Sequence, residues 1–154
     1  MQPSDSNSFI PDTNVLVAIA QAPHVNHEAA RSELEARLDD GEVMILAAHC
    51  LAETYAVLTG FPLPRRLSPV LAWAAIDKFV GSGEVVALSA ESYLAVLENS
   101  QQLRVVGGRV HDAVIAATAR SAGVDVLLTF NLRHFADAVG FEVIAPSFGD
   151  SPFG

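Results

Sequence analysis

A parallel α/β sheet wrapped by helices on both faces is the fold this sequence predicts, and three observations predict it. Short apolar runs alternate with longer stretches of helical periodicity. Hydrophobic residues make up 51% of the 154 positions and mean hydropathy is +0.33, enough to bury a core and too apolar for a disordered chain. Three acids, Asp12, Glu53 and Asp112, each stand where an apolar run gives way to a helical one, or early in that helix. In a parallel sheet those positions converge on one crevice beyond the carboxyl ends of the strands.

The elements follow in order. Ser8 to Pro11 reads as a short strand, and Pro11, which cannot donate to a ladder, marks its end. Thr13 to Ala20 reads as a helix that stops before a turn at Pro23. From His27, the spacing of Ala30, Leu34 and Leu38 gives one helical face, and Gly41 stops that helix. Val43 to Ala47 is a buried strand, followed by a helix from Ala48 to Leu58 that Gly60 ends. Phe61 to Pro69 holds three prolines around Arg65 and Arg66 and forms an exposed connector. A helix over Leu71 to Val80, closed by Gly81-Ser82-Gly83, leads to a strand over Val85 to Leu88. Ser89, with Ser92 as a second candidate, caps a helix running to about Leu103. Gly107-Gly108 opens the helix that carries Asp112, and Gly123 ends it. Val126 to Thr129 is a strand, Phe130 to His134 a loop, and Glu142 to Ile144 a last strand. The whole, 1–154, is expected to be a single domain with its core at about 9–145. A short polar N-terminus precedes that core, and a tail follows Pro146.

Composition narrows the function. No apolar run approaches the roughly 18 residues that cross a bilayer, and the first residues lack the basic and apolar regions of a signal peptide. A cytoplasmic protein is the expectation. Cys50 is the only cysteine, so neither an internal disulfide nor a thiolate zinc cluster can form. A formal net charge of −9 argues against broad phosphate neutralisation and favours a basic protein partner. Eight of the nine basic residues are arginine, with Lys78 the exception, so contact with nucleic acid must be local.

The acids carry the chemistry. Two carboxylates about 4 Å apart at an effective dielectric near 20 repel by roughly 4 kcal/mol. A fold that gathers three must keep one protonated or bind a hard cation. Each acid has a simpler reading on its own: Asp12 as a helix cap, Glu53 as a solvent-facing residue, Asp112 as an acid on the favourable end of a helix dipole. Three independent simple roles do not predict a shared position in one sheet. Asn14 adds a polar group to the Asp12 turn. The loop from Thr129 to Phe135 opens on the same crevice, with Asn131 placed to hydrogen-bond a water on a metal and Thr129 or His134 placed to touch a phosphate. The plainer reading of that loop is a polar turn with Phe135 in the core. His24 and His27 read as surface residues near a turn. Met44 and Trp73 read as core, and the helix around Glu53 reads as largely buried at Ala52, Tyr55, Ala56 and Leu58. No Walker A sequence, dinucleotide fingerprint or nucleophile elbow is present.

At this point the motifs resemble those of a family. Phe9-Ile10-Pro11-Asp12-Thr13-Asn14-Val15-Leu16, Ala52-Glu53-Thr54-Tyr55, His111-Asp112-Ala113-Val114-Ile115 and Leu128-Thr129-Phe130-Asn131-Leu132-Arg133-His134-Phe135 are similar, in order and spacing, to the four motifs of PIN-domain ribonucleases. The similarity is strongest to the VapC toxins of bacterial toxin–antitoxin pairs. The resemblance implies a Rossmann-like fold, dependence on Mg²⁺ or Mn²⁺, and endonucleolytic cleavage of RNA. It also implies a homodimer and inhibition by a cognate basic antitoxin. Asp12, Glu53 and Asp112 carry over as catalytic and metal-binding residues. Asn131 and His134 stand where the family often has a further carboxylate, which points away from a tightly held second metal. Asp12 and Asp112 are expected to hold the ion, Glu53 to be a ligand or an outer base, and Arg109, Arg133 or His134 to meet a substrate phosphate. The alternative is a PIN domain of weak or absent turnover that acts as a protein- or RNA-binding module. A third reading, phosphoryl transfer through Asp12, lacks the second aspartate (Asn14 stands there) and a nearby lysine (Lys78 is distant).

Overall fold

The computed structural model describes residues 7–147. Its centre is a five-stranded, all-parallel sheet. The strands are β1 (Ser8–Pro11), β2 (Val43–Ala47), β3 (Glu84–Val86), β4 (Val126–Leu128) and β5 (Glu142–Ile144), in spatial order β3-β2-β1-β4-β5. Strand β1 is central and covered on both faces, which is why it reads as a solid apolar run: Phe9 and Ile10 are fully buried. Pro11 is tolerated because it closes the strand. The ladder is carried on by the next residue, whose Asp12 N–H donates to the Leu128 carbonyl at 2.8 Å.

Six helices connect the strands: α1 (Thr13–Ala20), α2 (His27–Asp39), α3 (Ala48–Gly60), α4 (Pro69–Ser82), α5 (Ala90–Gln102) and α6 (Arg109–Ala122). The chain winds outward from β1 to β3, then crosses to β4 and β5 on the other side of β1. Right-handed crossovers in opposite directions put α1–α4 on one face and α5–α6 on the other. Helix α1 packs against α2 and α3, α3 against α4, and α5 against α6. The reversal of strand order falls between β1 and β4, and at such a switch point the two chain ends splay apart and leave a crevice. The core joins Phe9, Ile10, Leu16, Met44, Leu46, Ile115, Leu127 and Leu128 across both layers. Each such side chain contributes roughly 1.5–3 kcal/mol of burial.

Local chemistry sets the ends. Ser68 accepts from the Leu71 N–H and Pro69 occupies the first turn, so α4 begins two residues earlier than the periodicity suggests. Ser89 accepts from the Ser92 N–H and is the cap of α5; Ser92 lies inside the helix. Gly123, at φ 67°, closes α6 in the left-handed conformation. At Gly83 a Cβ would come within 3.0 Å of the Met44 carbonyl, so the chain enters β3 where only glycine fits.

Several expectations need correction. Strand β3 ends at Val86 rather than Leu88, and β4 at Leu128 rather than Thr129. The segment expected as a loop contains a 3₁₀ turn over Leu132–Phe135, which carries Phe135 into the core. Trp73 is 61% exposed, not core, because α4 is an outer helix that buries only Ala72, Ile76 and Phe79. On α3 the buried face is Cys50, Thr54 and Leu58; Ala52, Tyr55 and Ala56 point outward. His24 and His27 are half-buried, with His27 Nδ1 2.9 Å from the Ala18 carbonyl. Among the described residues no helix is long and apolar enough to cross a membrane.

Candidate active site

The crevice at the switch point, about 460 Å³, is lined by all three acids together with Thr13, Asn14, His24, Asn26, His111 and Asn131. Asp12 follows β1 and caps α1, as its capping reading expects, and it also lines the crevice. Its carboxylate is 6% exposed. Oδ1 accepts from the Thr13 N–H at 2.7 Å and Oδ2 from the Thr129 hydroxyl at 2.8 Å. Thr129, fully buried at the end of β4, accepts in turn from Asn14 Nδ2 at 3.2 Å and the Asn131 N–H at 3.0 Å. Asn14 Oδ1 accepts from the Phe130 N–H at 3.2 Å. The ends of the two central strands are therefore tied to each other by side chains, and Asp12 sits at the knot.

Thr129 or His134 is expected to touch a phosphate; Thr129 is fully buried with its hydroxyl on Asp12, a supporting position, while His134 lies on the open side. Asn131 lies on the lip of the crevice as expected, exposed, with its backbone N–H engaged on Thr129.

Glu53, on α3, accepts from the Thr13 hydroxyl through Oε1, while Oε2 lies 3.4 Å from His111 Nδ1. Asp112, on α6, places Oδ2 2.9 Å from His134 Nδ1 and 3.6 Å from Arg109 Nε. Arg109 and Arg133 line an adjoining open cleft with His134 and Leu132, a basic shelf beside an acidic crevice.

The electrostatics differ from the simplest expectation. The Asp12 carboxyl is pushed up to about 6, first by burial, with the Asp112 and Glu53 charges adding smaller contributions against the two hydrogen bonds that lower it. Asp112 is raised as well, again first by burial, and is pulled back by His134 and Arg109. Mutual repulsion is thus the lesser cause. Besides protonation and a cation, the fold uses a third way to keep acids together: imidazole and guanidinium groups placed on the outer carboxylates. The three carboxylates are near enough to interact as charges. Among the described residues, the group whose ligand atoms lie within 4.8 Å of one another is His49, Glu53 and His111.

A family model for the PIN domain matches residues 9–140. The chain belongs to the PIN-domain family. It is 39% identical over 123 residues to Ribonuclease VapC40 of Mycobacterium tuberculosis, an alignment covering 80% of this chain and 86% of that protein. Among solved structures, VapBC2 from Rickettsia felis bound to a promoter DNA fragment superposes with a TM-score of 0.66 at 18% identity, covering 91% of this chain and 99% of that one. VapC20 of Mycobacterium tuberculosis, described as a sarcin–ricin loop cleaving toxin, gives 0.65 at 21% identity over 84% and 94%. These structural likenesses show the fold.

In this PIN domain the sequence points to His134 but not to the pair His49 and His111 beside Glu53. His49 Nε2 lies 2.8 Å from His111 Nδ1 although 62 positions separate them. The available signal was local: His49 precedes Glu53 by four residues on one helix, hence on one face, and His111 directly precedes Asp112.

Proposed function

We propose that this PIN domain is a divalent-cation-dependent endoribonuclease, the toxin of a two-protein toxin–antitoxin pair, with Asp12, Glu53 and Asp112 as its catalytic and metal-binding acids. The observation that carries the reading is the convergence of those three carboxylates on one crevice at the strand switch point, with Asp12 buried in it. The donor set fits a hard cation. Mg²⁺ prefers oxygen ligands, keeps several waters and uses one or two carboxylates, which suits three acids lining one crevice. Asp12 and Asp112 would hold the ion, with Glu53 a further ligand or an outer base; Mg²⁺ is the preferred ion and Mn²⁺ would serve. When bound, the cation makes water a stronger acid and offsets charge on phosphate oxygens.

The chain's own residues do the rest. Thr129 and the Thr13 N–H fix the Asp12 carboxylate. Glu53, held by the Thr13 hydroxyl, is placed to accept a proton from the attacking water. Arg109, Arg133 and His134 on the neighbouring shelf would bind the RNA backbone at two or three phosphates, a local contact on a chain of net charge −9. Water oxygen bonds to phosphorus as the P–O bond to the leaving nucleotide breaks.

The test is cleavage of structured RNA with Mg²⁺ or Mn²⁺, with and without EDTA, in the parent and in Asp12→Asn and Asp112→Asn proteins. Cleavage by both variants at the parental rate would reject the assignment.

A binding module without useful turnover is the second reading, favoured by His134 on Asp112 where a further carboxylate is common. No heat on titration with millimolar Mg²⁺ or Mn²⁺ would favour it. The partners we infer are RNA, a basic antitoxin that sets an arginine in the crevice, and a second copy of the chain. Val70, Leu71 and Trp73, exposed together at the start of α4, support a protein partner. We read the chain as one domain acting in the cytoplasm.

A further inference from the structure

At the rim of the crevice, α3 and α6 bring three ligating side chains of a different character together. His49 stands in the first turn of α3 and Glu53 one turn later on the same face; His111 stands in the first turn of α6. His49 Nε2 and His111 Nδ1 are 2.8 Å apart, Glu53 Oε2 is 3.4 Å from the same Nδ1, and one ligand atom from each residue lies within 4.8 Å of the others. The His49 ring is packed between His111, at 5.0 Å between centroids, and Tyr93 of α5, at 6.2 Å, so its orientation is set by neighbours.

We propose that His49, Glu53 and His111 bind a first-row divalent cation that prefers imidazole, of the Zn²⁺ class, at the rim of the acidic crevice, which Glu53 and His111 also line. Such ions take imidazole nitrogen at about 2.0–2.1 Å, which puts neighbouring ligand atoms about 2.9 Å apart in octahedral and about 3.4 Å apart in tetrahedral coordination. The 3.4 Å pair already has the tetrahedral spacing, and the 2.8 Å pair, which as it stands is a hydrogen bond between the rings, needs to open by only about half an ångström to match it. Two imidazoles and one carboxylate suit Zn²⁺, Ni²⁺ or Fe²⁺ and repel the preferences of Mg²⁺, which takes oxygen. Three protein ligands leave open positions for water. Glu53 faces both ways: Oε1 is held by Thr13 on the Asp12 side, and Oε2 is turned to the imidazoles. Two cation sites of unlike hardness therefore share one carboxylate, and an ion on the imidazoles draws Glu53 toward the rim. The inference stands apart from the nuclease reading, because its test measures binding and not cleavage.

The experiment is calorimetric titration of the metal-stripped full chain with Zn²⁺, in the presence of excess Mg²⁺. The comparison includes His49→Gln and His111→Gln proteins. One Zn²⁺ per chain is expected. Both histidine variants should lose at least about tenfold in affinity, the least that removing even an outer partner of a metal ligand costs. Zn²⁺ binding that is unchanged in His49→Gln, or abolished by Mg²⁺, overturns the proposal. A readout without any substitution covers the case of a variant that misfolds: ring ¹⁵N resonances of His49 and His111 in the parent should shift with one equivalent of Zn²⁺. Resonances that stay in place would mean that a hydrogen bond alone joins the two rings.

Discussion

Asp12 and Asp112 line the same crevice, and the protein holds them by opposite means. Asp12 is 6% exposed and rests on neutral donors, a backbone N–H and a threonine hydroxyl that belong to the two central strands. Asp112 sits on a helix near the surface and rests on charged or chargeable groups, His134 and Arg109, which themselves face an open basic shelf. The first arrangement cannot be altered without disturbing the sheet ends. The second can be, since a phosphate arriving on the shelf competes with Asp112 for the same side chains. The comparison teaches that one wall of the site is built as a fixed ligand and the other as an adjustable one.

The largest effect should come from breaking the fixed wall. Asp12→Asn is expected to lower RNA cleavage by about a thousandfold, equivalent to about 4 kcal/mol of barrier. The same change should relieve the fold. The Asp12 carboxyl is pushed up to about 6 in the folded chain from an ordinary value of 3.8, so between those values the folded state holds the proton more tightly than the unfolded state. Stability from this group is therefore full below about pH 4 and is lost as pH rises through 6, by about 3 kcal/mol in all. In denaturant unfolding of metal-free protein, the variant's stability relative to the parent should rise by that amount between pH 4 and pH 7, whatever fixed offset the amide brings. A flat difference would mean that the buried carboxyl is not the titrating group.

Thr129→Val probes the support beneath Asp12. It strips the donor from Asp12 Oδ2 and leaves Asn14 Nδ2 and the Asn131 N–H without their acceptor. A loss of about 1–3 kcal/mol in unfolding free energy is expected. The hydroxyl lowers the Asp12 pKa, so its removal pushes that carboxyl further up and moves the acid limb of the cleavage profile to higher pH. Thr129→Ser should recover both, which separates the hydrogen bond from the packing.

These two residues also mark how far the sequence could be read. Asp12, Glu53 and Asp112 were legible because each position is fixed by a local event, the end of a strand or an early turn of a helix, and a parallel sheet brings such events to one edge. Every strand was recognisable for the same reason, by short-range periodicity. For Thr129 the sequence left a supporting and a substrate-contacting role open, because whether a strand-end hydroxyl faces a ligand or a neighbouring carboxylate depends on packing between β1 and β4. The His49–His111 contact and the His134–Asp112 pair join elements apart in sequence; local spacing puts His49 on the Glu53 face and His111 beside Asp112, but does not pair them. Trp73 misled because apolar composition speaks for burial, while its outer helix buries a different face.

On the adjustable wall, His134→Gln should have a smaller effect. His134 lowers the Asp112 pKa by charge and by hydrogen bonding, so its loss raises that carboxyl further. The acid limb of the pH–rate profile should move up while unfolding free energy stays within about 0.5 kcal/mol, as for other surface changes. If the profile keeps its position, His134 does not set the ionisation of Asp112.

The smallest effect on the fold, and the finest test of the contrast, is Arg109→Gln. Its guanidinium is half exposed and 3.6 Å from Asp112, a separation and a setting in which an ion pair contributes roughly 0–1 kcal/mol. Stability should hardly move. If Arg109 leaves Asp112 for an RNA phosphate on binding, the variant releases about one counterion fewer, and the slope of log affinity against log salt should fall by about 0.7 for a single strand. KM should rise while kcat changes little, because the contact is made in the bound state and in the transition state alike. An unchanged salt slope would place Arg109 permanently on Asp112, and the outer wall would then be as fixed as the inner one.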